Sequence, residues 1–234
     1  MRVTVPEAPA TVPEIYVGLW RRTLLRASDK EDTSTSVYWL QTSNWHADIR
    51  VPSDRPSLSD RARLDALSAE EMRALARQQG FAGITQVEGE ICRWHRRFDY
   101  QPPSGFNDIG RMEFDGPDRL LEYGVEQDYF EIWERVPGTG QSRVTESDDG
   151  ARRTSLRLSL APWVMFVRPR SSTLGCATGL DQLVTAANDV DRVALLDFEI
   201  SFGRLDESTN SWRIELSTLP WLEGTVRLIG RDTV

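Results

Sequence analysis

Apolar and polar residues alternate with a period of two along most of the chain, the pattern of strands with one buried face. Residues 15–25 open it, a polar turn follows at 28–32, and residues 36–42 form a second run rich in β-branched and aromatic side chains. A shorter run at 46–51 is stopped by Pro52. Consecutive strands separated by short polar turns predict a meander. The pattern changes at 61–79, where Ala, Leu, Glu and Arg dominate. Ser68 and Glu71 are spaced for a capping box, Leu67 and Met72 for a hydrophobic staple, and Gly80 stands where a helix would stop. This predicts a helix over 69–79. Strands resume as one long run at 84–100, broken or bulged at Gly89, then a hairpin of 110–114 with 119–123, then 129–136. Residues 138–151 are polar and glycine-rich and mark a boundary between domains at 1–137 and 151–234. Beyond it the pattern predicts strands at 154–160, 163–168, 193–204, 211–216 and 225–229, with a short helix at 180–187. The fold class is mostly antiparallel β, for which sandwiches and up-and-down barrels are the standard closures.

Particular residues narrow this. Gly18-Leu19-Trp20 on the first strand resembles the opening of lipocalin-like (calycin) barrels, in which the Trp packs against an Arg from a late strand across the barrel end. Ser36-Val37-Tyr38-Trp39-Leu40, Asp48-Ile49-Arg50-Val51-Pro52, Trp94, Asp108-Ile109-Gly110, Glu122-Tyr123-Gly124 and Glu131-Ile132-Trp133 follow in an order and spacing similar to the Hri-type family of fungi and bacteria. The resemblance covers most of 15–136 and thins out after Gly150, with 197–212 the best remaining stretch. It implies two tandem antiparallel lipocalin-like β-barrels, the first carrying the short helix as a cap and the second smaller. It implies no activity, substrate or catalytic residue, so function has to be argued from the site.

Charge and length exclude some classes. The 234 residues carry 28 basic against 36 acidic side chains, a net −8, which argues against a nucleic-acid partner. No apolar run approaches the ~20 residues of a membrane helix. The first residues, Met1-Arg2-Val3-Thr4-Val5-Pro6-Glu7, lack the features of a secretory signal. A cytoplasmic chain without a membrane partner is therefore expected. Cys92 and Cys176 lie in different halves and are expected as two buried, reduced thiols. Lys30 is the single lysine, a compositional bias rather than a functional signal.

Candidate chemistry sits among aromatic residues. If 92–101 is one regular strand, Arg93, His95, Arg97, Asp99 and Gln101 share a face opposite Cys92, Trp94, Phe98 and Tyr100. The polar face is either solvated or places His95 in a barrel cavity, since barrels of about eight strands can hold one small ligand. Glu131 alternates with Tyr129 and Trp133, where desolvation would raise its pKa and suit it to acid–base work. The alternative is a buried Glu–Arg pair. His46, Asp48 and Arg50 share a face, with Asp48 expected to pair with Arg50 or a cross-strand Arg. With two histidines and two cysteines, a metal site would lean on carboxylates, and neither a metal nor another cofactor is expected. Gly138-Thr139-Gly140 lacks the context of a phosphate loop and reads as linker. Tryptophans, eight in all, are either core anchors or cavity walls.

The expected function is small-molecule binding in the N-terminal barrel, lined by Trp20, Arg22, Trp39, Gln41, Arg50, His95, Glu122, Glu131 and Trp133. Aromatic residues would give contact area, Arg50 or Arg22 would hold an anionic group, and His95 and Glu131 would orient or protonate a small anionic or aromatic ligand. One alternative is an isomerase or decarboxylase of small acids, with Glu131, Tyr129 and Arg50 at its centre. Another is an interaction protein, two filled barrels acting through their surface or as a homodimer.

Overall fold

The computed structural model describes residues 11–148 and 153–229. Its first part is β1 (Gly18–Ala27), β2 (Lys30–Asp32), β3 (Ser36–Gln41), β4 (Trp45–Val51), α1 (Ala69–Ala76), β5 (Gln79–Glu88), β6 (Ile91–Asp99), β7 (Asp108–Phe114), β8 (Arg119–Gly124) and β9 (Tyr129–Val136). Strands β1 and β3 to β9 pair antiparallel in sequence order, and β9 returns to β1, closing an eight-stranded barrel. β2 is a short hairpin arm on the end of β1. The second part is β10 (Arg143–Asp148), β11 (Thr154–Leu160), β12 (Trp163–Arg168), α2 (Leu180–Ala186), α3 (Asp189–Leu196), β13 (Glu199–Asp206), β14 (Ser211–Ser217) and β15 (Val226–Leu228). Its six strands form a meander that curls but does not close, so β10 and β15 remain edges. The tandem arrangement holds, with the second member a half-barrel.

The two sheets share one core. Leu40, Ala47, Ile49 and Ala82 on the outer wall of the barrel are buried with Leu158, Met165, Ile200 and Phe202 of the second sheet. Tyr38 of β3 stacks on Phe202 of β13 at 4.4 Å. Approach here is close enough that a Cβ on Gly80 would lie 2.6 Å from Ile200 Cδ1. β3 to β5 are therefore buried on both faces, one toward the lumen and one toward the second sheet. In β4 this inverts the simple reading of alternation. Trp45, Ala47, Ile49 and Val51 face outward into the shared core, and His46 and Asp48 face inward at 0% and 1% exposure.

Local signals act where they were expected, with shifted limits. The Ser68 capping box forms, with Glu71 N–H donating to Ser68 Oγ and Ser68 N–H donating to Glu71. α1 ends at Ala76 rather than 79, because Gln79 and Gly80 already belong to β5. It packs against α2 and α3. The long run 84–100 is two strands: Gly89, at φ +60°, makes the tight turn between β5 and β6. Residues 143–148, read as linker, add strand β10. Residues 189–196 are helix α3 rather than the start of a strand, with Asn188 as N-cap accepting from Asp191 N–H.

Candidate functional site

One end of the barrel is shut. A 3₁₀ turn at Glu14–Tyr16 lies across it, and Trp20 Nε1 donates to Tyr16 O at 2.8 Å. Arg135 of β9 lies over the Trp20 ring at 4.1 Å and donates to Val17 O and Ile15 O. This is the Trp–Arg contact that the lipocalin-like resemblance implies. Above it Gln41 accepts from Trp39 Nε1 (3.2 Å) and from the Thr85 hydroxyl (2.8 Å). Thr85 has thus spent its proton, so its contact with His46 Nδ1 (3.0 Å) requires Nδ1–H as donor. His46 Nε2 is then an acceptor, buried and without a hydrogen-bond partner among the described residues. Burial first, then Arg96 and His95, holds this imidazole well below its ordinary pKa.

The middle of the lumen is ionic. Arg22 donates to Glu131 at 2.6 Å and to Asp32 at 2.9 Å, and Arg50 donates to Asp48 at 2.8 Å with Glu131 at 3.6 Å. Burial opposes the charge on Arg50, but Asp48 and then Glu131 outweigh it and raise its pKa. Burial raises Asp48 against the pull of Arg50. Glu122 is different. It faces Glu131 across β8 and β9 and accepts only from neutral donors, Tyr129 OH at 2.7 Å and Trp133 Nε1 at 2.9 Å. Burial first and the Glu131 carboxylate second push its pKa up to about 8. Glu131, by contrast, has Arg22 and Arg50 beside it. The void left in this ionic layer, between Trp39, Asp48, Phe81, Trp94 and Glu122, is about 10 Å³. That is the volume of one water-sized probe, far below an organic ligand.

The large space lies at the open end. Pairing between β6 and β7 stops at Trp94–Asp108, and the chain between them swings out through residues 100–107. A cavity of about 970 Å³ fills the gap, walled by the end of β6, this loop and the segment 169–174. Trp94 and Asp108 border both spaces, so the cavity sits on the roof of the lumen. Arg96 stands at the lip, 3.6 Å over the Phe81 ring, bonded to Asp99 (2.9 Å) and Asp108 (2.7 Å).

Of the residues singled out from the sequence, Arg22, Trp39, Arg50, Glu122, Glu131 and Trp133 meet in the lumen, with Trp20 and Gln41 at its closed end. His95 does not join them. It pairs with Ile84, whose side chain belongs to the outer core, and its Nε2 lies 3.0 Å from Gln86 Oε1. Arg96 pairs with Gly83 and Phe98 with Ala82, which leaves Arg97 as an inserted residue. This bulge returns Asp99 to the face of Arg96, so the regular alternation drawn through 92–101 fails there. Arg22 and Arg50 are each paired with carboxylates. Cys92 is buried in the lumen, whereas Cys176 is exposed, and both are unpaired. His95 and Arg97 of the polar face instead border the mouth cavity, whose Phe106 and Arg170 sequence reasoning missed because they lie on loops without periodicity. No helix among the described residues is long and apolar enough to cross a membrane. No protein-family model, no curated protein and no solved structure matches this chain.

Proposed function

We propose that the protein binds a small organic molecule in the cavity at the barrel mouth. The ligand rests on Trp94, Arg96 and Asp108, with Phe98, Phe106 and Phe198 as apolar walls. The observation that carries this reading is the contrast in volume, about 970 Å³ at the mouth against about 10 Å³ in the lumen. The first is within the range of small-molecule sites and the second is not. The lumen then serves as a rigid base, and the site moves upward from the residues first expected to form it. Native mass spectrometry of the purified protein tests this. The expected result is a non-covalent adduct of small-molecule mass that Phe106→Asp removes. Absence of any adduct, together with no thermal shift across a panel of amphipathic acids, amides and alcohols, would reject the reading.

Glu122 supports a second reading, catalysis on a bound small acid. Burial and the Glu131 carboxylate push its pKa up to about 8, and it is hydrogen-bonded to Tyr129, which lines the cavity. In that case Glu122 and Tyr129, rather than Glu131, exchange a proton with the ligand. Conversion of a bound acid that Glu122→Gln abolishes while binding persists favours it; conversion that is indifferent to Glu122 rejects it.

A further inference from the structure

We propose that the molecule this cavity takes is an organic anion whose carboxylate, or similar singly charged acidic head, is received by Arg170 and Arg97. The inference rests on the cavity reading above and names the chemical class of the ligand.

The cavity wall carries four arginines, at 93, 96, 97 and 170, and two carboxylates, Asp99 and Asp108. Arg93 pairs with Glu88 at 3.2 Å. Arg96 takes both cavity carboxylates. Arg97 and Arg170 are left, among the described residues, without an ion pair. Arg97 is exposed and lies 5.0 Å over the Trp45 ring. Arg170 is 8% exposed, and its hydrogen bonds among the described residues go to backbone carbonyls: Leu195 O at 2.8 Å, Asp99 O at 3.2 Å and Tyr100 O at 2.7 Å. The next carboxylate that could answer it, Asp197, is held by Arg153 and Arg168, each at 2.9 Å.

A guanidinium has five N–H donors, and these three bonds leave two for a ligand. Taking a cation out of water without a counter-ion is costly, and burial accordingly pulls Arg170 below its ordinary pKa. A ligand carboxylate would supply both the missing charge and the missing acceptors, in the forked geometry that arginine favours. Rings brace the guanidinium, Phe198 at 4.9 Å and Tyr100 at 5.7 Å, so it is held in place before a ligand arrives. Phe98, Phe106 and Phe198 then offer apolar surface to the body of the molecule, and the class is an aromatic or aliphatic monocarboxylate.

The test uses matched pairs, 2-naphthoate with its uncharged carboxamide and decanoate with decanamide, titrated calorimetrically into the full chain. At least one acid is expected to bind ten-fold or more tightly than its amide. Arg97→Gln should cut that preference several-fold at unchanged thermal stability. Arg170→Gln should abolish it, and because Arg170 also ties three carbonyls, Arg97→Gln keeps the test decisive if that variant does not fold. Equal binding of acid and amide, or a preference untouched by Arg97→Gln, would overturn the anion inference and leave the cavity reading standing. Failure of all four probes to bind would overturn both.

Discussion

In the lumen Arg22 and Arg50 each meet carboxylates within hydrogen-bond distance, whereas at the mouth Arg97 and Arg170 meet none among the described residues. The void among Trp39, Asp48, Trp94 and Glu122 in the lumen is about 10 Å³, and the mouth holds about 970 Å³. The two regions share Trp94 and Asp108, but the mouth adds the β6–β7 loop and the segment 169–174 of the second half. Where eight strands stay paired, inward side chains fill the cylinder and, His46 Nε2 apart, satisfy one another. Where β6 parts from β7, they cannot. A dense set of charged and aromatic side chains is thus not in itself a binding site; what marks the mouth is the combination of space and unanswered charge.

Removing one member of the lumen network should have the largest effect. Glu131→Ala leaves Arg22 buried with only the half-buried Asp32 as partner. A loss of about 3–5 kcal/mol is expected in urea unfolding, the usual cost of stranding a buried charge. A loss below about 1 kcal/mol would mean that the ionic layer is not what holds the barrel. Glu122 sharpens the contrast through pH. Its folded pKa of about 8 lies above the ordinary 4.5, so between these values the native state keeps a proton that the unfolded chain has released. The stability it contributes is full below 4.5 and is lost as pH rises through about 8. Comparison with Glu122→Gln should isolate a slope of up to about 1.4 kcal/mol per pH unit in that window. Parallel curves for the two proteins would contradict the assignment.

His46 acts in the opposite direction. Its depressed folded pKa means that stability is fully present above 6.5 and is lost as pH falls below it, since the unfolded chain takes up a proton that the buried ring refuses. His46→Gln should flatten the acid limb of the stability curve and leave the alkaline limb alone. Residues of the mouth should behave unlike all of these. Phe106 is 61% exposed, so Phe106→Ser should change stability by no more than about 0.5 kcal/mol while weakening ligand binding by roughly ten-fold. A large stability change there would erase the distinction between base and site.

Much of the architecture was legible in the sequence because it follows from local rules. Ser68 with Glu71, the β-branched run at 36–42 and the break at Gly89 each specify structure within a few residues. The lumen could be read in part for the same reason: alternation places His46, Asp48 and Arg50 on one face of β4 and Glu131 and Trp133 on one face of β9. Alternation does not say which face is inside, and β4 is buried on both. The mouth depends on features with no period. Arg97 is displaced by a bulge, Phe106 sits in the β6–β7 loop, and Arg170 arrives from the second half of the chain, 70 residues beyond the Tyr100 carbonyl that it meets. Only the pairing of distant segments brings these three together.

Hydrogen–deuterium exchange with and without saturating 2-naphthoate tests the central claim most directly. Seating at the mouth predicts slower exchange in residues 95–107 and 169–174, with β3 and β4 unchanged. Protection confined to 36–51, with the mouth segments unaffected, would place the ligand inside the barrel and contradict the account.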